Sequence, residues 1–124
     1  MEAKELTALI IDDEDAIATL LTRLLIKNGV SKMDVVRTTQ EGLDLLTDRT
    51  YNLAFIDLNQ RPSGIEVYQT AIAKGSYAYI MSGYASDMQE AQSIATNHFI
   101  MKPFTLPLID GIIKECILHQ QPQS

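Results

Sequence analysis

Short apolar runs, each stopped by polar residues and each followed by a helix-type stripe, constrain this chain more than any other feature. Leu9-Ile10-Ile11 ends abruptly in Asp12-Asp13-Glu14-Asp15, the pattern of a buried strand reaching a polar edge. Ile17, Leu20, Leu21, Leu24 and Leu25 then recur at helical spacing, and Gly29 stands where a C-terminal cap belongs. Asp34-Val35-Val36-Arg37-Thr38 reads as a second strand, with a helix around Leu43, Leu45 and Leu46 after it. Leu53-Ala54-Phe55-Ile56 is a third, running into Asp57. A helix over Gly64 to Lys74 is closed by Gly75, and Tyr77-Ala78-Tyr79-Ile80-Met81 is a fourth strand ending at Ser82-Gly83. Ser86 reads as an N-cap, with Gln89 completing a capping box, and that polar helix is expected to reach Ala95. Phe99-Ile100-Met101 is the fifth strand, stopped by Lys102-Pro103. Thr105 caps a last helix that tolerates Pro107 in its first turn and carries the stripe Leu106, Ile109, Ile113, Cys116 and Ile117.

Strands alternating with helices imply an α/β fold, a parallel sheet covered by helices on both faces. At 124 residues the chain suits one domain over 1–124, with a core from about residue 6 to residue 119 and a frayed tail over 120–124. The formal net charge of −6 repels a polyphosphate backbone and argues against direct nucleic-acid binding. Neither a signal peptide nor a bilayer-spanning run is visible, so the expectation is a cytoplasmic protein with no membrane association. Cys116 has no second cysteine to pair with and sits on an apolar stripe, the pattern of a small buried hydrophobe. His98 and His119 lack ligand spacing and read as surface residues.

In an open parallel sheet, ligands bind beyond the strand C-termini, so the residues that finish each strand decide the chemistry. The first strand delivers Asp12 and Asp13, the third Asp57, the fourth Ser82 and the fifth Lys102. Three carboxylates at one edge repel one another unless a cation intervenes, and Mg²⁺, which prefers oxygen ligands, is the natural one. Lys102 adds a positive charge on a long stem and Ser82 a hydroxyl donor, both suited to phosphoryl oxygens. A carboxylate is a competent nucleophile towards phosphorus, and such transfer needs chiefly positioning and charge neutralisation. Singly, each residue has a blander reading: Asp12 and Asp13 as helix caps, Asp57 as a turn residue, Ser82-Gly83 as a turn, Lys102 as a solvated cation. Their convergence is what favours the chemical reading.

Taken in this order, the chain resembles a response-regulator receiver domain of the single-domain type over nearly its whole length. The resemblance implies a flavodoxin-like sheet of order 2-1-3-4-5, with Asp57 as phosphoacceptor and Mg²⁺ held by Asp12, Asp13, Asp57 and the backbone carbonyl of Asn59. It further implies Ser82 as the switch hydroxyl, Phe99 as the aromatic that turns on activation, and a cis bond at Lys102-Pro103. The implied function is two-component phosphorelay signalling rather than enzymatic turnover, apart from intrinsic autodephosphorylation. The implied partners are a sensor histidine kinase or phosphotransfer protein and a downstream effector. The output face would be the fourth helix, fifth strand and fifth helix, and dimerisation through that face is left open. One segment departs from the family: in Asp57-Leu58-Asn59-Gln60-Arg61-Pro62-Ser63-Gly64 the proline comes late, the glycine early, and Ser63 replaces an acid. Arg61 is the residue there expected to reach the site.

Rival readings are weaker. An aspartate-nucleophile phosphatase would resemble an Asp-x-Asp motif on the first strand and need a cap that this length does not supply. A flavin-binding domain of the same topology would need a hydroxyl-rich loop where Asp12 to Asp15 would repel the cofactor phosphate. The serious rival is a receiver-like scaffold acting without phosphorylation; the altered loop after Asp57 is its main support, and the intact acid pair, acceptor, hydroxyl and lysine count against it.

Overall fold

The computed structural model describes residues 1–60, 63–87, 89–90, 93 and 98–120. Strands β1 (Thr7–Ile11), β2 (Lys32–Val36), β3 (Leu53–Asp57), β4 (Tyr77–Ser82) and β5 (Phe99–Met101) form one parallel sheet in the order β2-β1-β3-β4-β5. The α-helices with described bounds are α1 (Asp15–Lys27), α2 (Thr39–Asp48), α3 (Gly64–Ala73) and α4 (Leu106–Gln120). This is the flavodoxin-like α/β arrangement. Half of the helix expected from Ser86 to Ala95 lies outside the described residues, as do Arg61, Pro62 and the tail over 121–124; Ser86 itself sits in a 3-10 turn, Ala85–Asp87, while Gln89, Glu90 and Ser93 are helical.

The central strands are apolar without interruption because both of their faces are covered. All five residues of β3 are buried, and four of the five in β1. Alternation along the strands divides the core into two layers. Ala8, Ile10, Phe55, Tyr79 and Met81 pack with Leu21 and Leu25 of α1 and with Ile109, Ile112 and Ile113 of α4. Leu9, Ile11, Ala54, Ile56 and Ile80 pack with Leu46 of α2 and with Val67, Tyr68 and Ala71 of α3.

Strand β2 lies two residues earlier than its apolar residues suggest. Its register runs from Thr7↔Lys32 to Ile11↔Val36, so polar Lys32 belongs to the ladder and Thr38 does not. As an edge strand it is only half covered, and burial leaves a weaker mark on its sequence. Thr38 is instead the N-cap of α2, its hydroxyl accepting from the Glu41 N–H at 3.1 Å. The buried stripe of α4 is Ile109, Ile112, Ile113 and Cys116, while Leu106 at its start is 40% exposed.

Helices α1 and α3 stop in the same way. Gly29 (φ 92°) and Gly75 (φ 89°) take the left-handed conformation just past each helix. The following N–H groups turn back onto the last turn, Val30 to the Leu25 carbonyl at 3.0 Å and Ser76 to the Ala71 carbonyl at 2.9 Å. Both ends are Schellman caps, which return the chain to the next strand without orphaned carbonyls.

Cys116 is fully buried against this scaffold, its Sγ 3.5 Å from the Asn52 carbonyl, and burial pushes its thiol up to about 12. A thiol raised in the folded state contributes stability at neutral pH and loses it progressively once pH climbs past the unfolded thiol value of about 8.5. The native protein is therefore expected to resist a thiol-specific disulfide reagent at pH 8 and to react at once in denaturant. Stoichiometric labelling of the native state as fast as of the unfolded state would contradict the burial.

Candidate functional site

The C-terminal ends of β1, β3, β4 and β5 share one edge of the sheet, and there the charged residues meet. Asp12 follows β1 directly, its N–H held by the Val36 carbonyl at 3.1 Å, and its side chain is buried. One of its oxygens performs the local task that the blander reading foresaw: Oδ1 accepts from the Glu14 N–H at 2.8 Å at the start of α1. The other, Oδ2, is buried without a directional hydrogen bond, its close neighbour being Lys102 Nζ at 2.7 Å. Asp57 closes β3 at 4% exposure. Its Oδ1 accepts from the Asn59 N–H at 3.3 Å and lies 3.4 Å from Lys102 Nζ. Asp13 is exposed, yet one carboxylate oxygen each of Asp12, Asp13 and Asp57 fall within 4.8 Å of one another. A cleft of about 380 Å³ opens over the group, lined by Asp13, Glu14, Asp57, Asn59, Gly83, Tyr84 and Lys102.

Lys102 does not follow the blander reading of a solvated cation. Its side chain is only 5% exposed and its ammonium sits among Asp12, Glu14 (3.2 Å) and Asp57. The Lys102 N–H donates to the Ser82 carbonyl at 2.8 Å, and the Lys102-Pro103 peptide is cis. Burial works against the ammonium, but the contact with Asp12 and the charges of Asp57 and Asp12 outweigh it, so its pKa lies above the ordinary lysine value. Asp12 is also raised, first by burial, with the Lys102 contact and the Glu14 N–H pulling the other way and the Asp57 charge adding the least. Repulsion between acids is thus the smaller cause, and loss of solvent the larger. Both shifts agree with one cation shared among several anions, too few charges to offset the burial of Asp12.

This donor set suits a divalent cation. The three carboxylates offer only oxygens, carry more negative charge than Lys102 offsets, and include a buried oxygen, Asp12 Oδ2, that makes no well-aligned hydrogen bond. Mg²⁺ asks for such ligands and keeps waters on its open side, which the cleft accommodates.

Ser82 ends β4, fully buried, and its hydroxyl is already engaged. It donates to Asp87 Oδ2 at 2.6 Å and accepts from the Tyr84 N–H at 3.0 Å. Asn59 Nδ2 joins the same carboxylate at 3.0 Å. The hydrogen bond from Ser82, and then that from Asn59, hold Asp87 below the usual carboxylate range. Tyr84 is 65% exposed at the cleft mouth. Phe99 is half-buried, paired with Ile80 across the strands and packed on the α2–α3 layer. His98 is not the free surface residue the sequence suggests: its ring stacks on Tyr79 (4.5 Å, 6°) and its Nδ1 lies 2.8 Å from the Ala78 carbonyl.

Sequence patterns did not reveal Asp87 or Gln60. The Gln60 side chain accepts from the Thr39 N–H at 2.8 Å through Oε1, while Nε2 donates to the Arg37 carbonyl at 2.9 Å and to Asp57 Oδ2 at 3.3 Å. Arg61, the residue expected to reach in, lies outside the described residues. The one available signal was that Gln60 falls where the chain departs from the family's loop.

A family model, the response regulator receiver domain, matches residues 8–114. The chain belongs to the response-regulator receiver domain family. Among solved structures, this receiver domain is similar to a CheY-like response regulator receiver domain protein from Methanospirillum hungatei JF-1, at 26% identity and TM-score 0.77, over 92% of this chain and 95% of that one. It is similar also to a CheY-like receiver domain from Methylobacillus flagellatus, at 27% identity and TM-score 0.77, over 90% of this chain and 98% of that one. A curated relative, the sensory transduction protein LytR of Staphylococcus haemolyticus (strain JCSC1435), is 29% identical over 94% of this chain. The receiver domain spans 46%, about half, of that protein's length. No helix among the described residues is long and apolar enough to cross a membrane.

Proposed function

We propose that this receiver domain accepts a phosphoryl group on Asp57 from a histidine kinase or phosphotransfer protein, as part of a two-component phosphorelay in the cytoplasm. The observation that carries the reading is the meeting of a buried, ionisable acceptor with Asp12, Asp13 and Lys102 at the floor of an open cleft. A carboxylate oxygen of Asp57 attacks phosphorus, the bond from phosphorus to the donor breaks, and the donor's leaving atom keeps the electron pair. An acyl phosphate results. Lys102 stays within reach to neutralise charge on the transferred group. Asp12, Asp13, Asp57 and the Asn59 carbonyl are the residues that would hold Mg²⁺, whose contribution is charge neutralisation at the phosphoryl oxygens. Hydrolysis of the acyl phosphate would reset the domain.

In this reading Ser82 is the switch hydroxyl, and Asp87 is what it must leave. The hydroxyl that would bind a phosphoryl oxygen is committed to a carboxylate at 2.6 Å. Its transfer would release the 3-10 turn Ala85–Asp87, open space beside β5 and let Phe99 turn, changing the face that an effector or a second copy of the domain meets. The test is mass spectrometry of the intact protein after treatment with acetyl phosphate. One added phosphoryl group is expected with Mg²⁺, none after chelation and none in Asp57→Ala. Addition to Asp57→Ala at the level of the unsubstituted protein would overturn the assignment.

A further inference from the structure

Gln60 touches Asp57 directly, and the proposed roles assign it nothing. Its orientation is set by its partners. The Thr39 N–H can only donate, so the amide oxygen must face it; the Arg37 carbonyl and the Asp57 carboxylate can only accept, so the amide nitrogen must face them. Both amide protons and the carbonyl oxygen are thereby used, and a side chain that would otherwise sample many rotamers is fixed at three points.

The acceptor is fixed in turn. Asp57 Oδ1 takes the Asn59 N–H and the Lys102 ammonium, and Oδ2 takes the Gln60 amide. Each oxygen is addressed from its own side, so rotation of the carboxylate about its last bond would break contacts at both. Without Gln60, among the described residues only the Oδ1 side remains held. We propose that Gln60 is a positioning residue for phosphoryl transfer, orienting the Asp57 carboxylate by tying Oδ2 to the β2–α2 junction. This rests on the reading of Asp57 as phosphoacceptor. Attack on phosphorus requires an oxygen aligned with the breaking bond, and displacement of a reacting group by about 1 Å costs on the order of a hundredfold in rate. Loss of one of several restraints should cost less, on the order of tenfold.

The experiment measures the rate of phosphorylation by acetyl phosphate at saturating Mg²⁺, together with Mg²⁺ affinity by calorimetry and the thermal midpoint. Gln60→Met keeps the length and removes every polar contact. It is expected to slow phosphorylation on the order of tenfold while Mg²⁺ affinity stays near that of the unsubstituted protein. Gln60→Glu keeps an oxygen for the Thr39 N–H but offers Asp57 no donor, and should be at least as slow. Should Gln60→Met not fold, Gln60→Ser gives the same comparison. An unchanged rate in Gln60→Met, a rate restored in Gln60→Glu, or a loss that follows Mg²⁺ affinity would each overturn the proposal. A protein that takes no phosphoryl group even with Gln60 in place would overturn the phosphoacceptor reading first and this inference with it.

Discussion

Replacing Lys102 with methionine is expected to destabilise the metal-free protein by about 3–5 kcal/mol, the usual cost of removing one partner from a buried ionic group. Methionine conserves the length and fills the space, so the loss reports charge rather than a cavity. Two carboxylates would be stranded. Asp12 has a side-chain exposure of 0% and Asp57 of 5%, and Lys102 contacts them at 2.7 and 3.4 Å. The pair with Glu14 adds little, because that side chain is 61% exposed and water screens it. Urea denaturation with and without Mg²⁺ checks the idea. The deficit should be large without metal and should shrink when Mg²⁺ binds the native state, since the cation neutralises the same carboxylates. A metal-free Lys102→Met protein as stable as the parent would show that the carboxylates find compensation elsewhere.

The same cluster shows what a sequence can and cannot convey. Parallel strands put their C-termini on one edge, so once the apolar runs are read as strands, the placing of Asp12, Asp57, Ser82 and Lys102 at that edge follows from topology alone. The central strands were legible because burial on both faces leaves unbroken apolar runs, as in Leu53-Ala54-Phe55-Ile56. The edge strand β2 was legible over Asp34 to Val36, but its bounds were not. Half of β2 faces solvent, so Lys32 and Asp34 sit in its ladder while Thr38, a good strand former, caps a helix. The contacts of Gln60 and Asp87 were hidden for a different reason. Gln60 comes from a loop and Asp87 from a 3-10 turn, where position depends on local turn geometry rather than on a period of two or of 3.6 residues. Charge was legible as composition but not as energy: three acids at an edge suggested repulsion, whereas burial is the larger cause of the Asp12 shift and Lys102 already stands among the acids.

Gly64→Ala is expected to damage both the fold and the site. A Cβ at Gly64 would lie 2.3 Å from the Asp57 carbonyl oxygen, 2.8 Å from Leu58 Cα and 3.0 Å from the Asp57 carbonyl carbon. All three are backbone atoms, so no side chain can rotate away. Relief requires moving α3 off the end of β3, or moving the end of β3 itself. The first option strains the Ser63 cap, whose hydroxyl accepts from the Ile65 N–H at 3.2 Å, and the hydrogen bond from the Gly64 N–H to the Leu58 carbonyl at 3.3 Å. The second displaces Asp57. Overpacking of this kind costs about 1–3 kcal/mol, and contact with backbone puts this case at the upper end. Gly75→Ala is the informative comparison. There φ is 89°, but a Cβ meets nothing within 4 Å, so the cost is backbone strain of roughly 1–2 kcal/mol with no path to the acceptor. Gly64→Ala should therefore lose stability and also phosphorylate more slowly with acetyl phosphate and Mg²⁺, whereas Gly75→Ala should lose stability and keep its phosphorylation rate. Equal rates in the two variants, each measured well below its unfolding transition, would show that the close packing of α3 against the end of β3 does not set the geometry of Asp57.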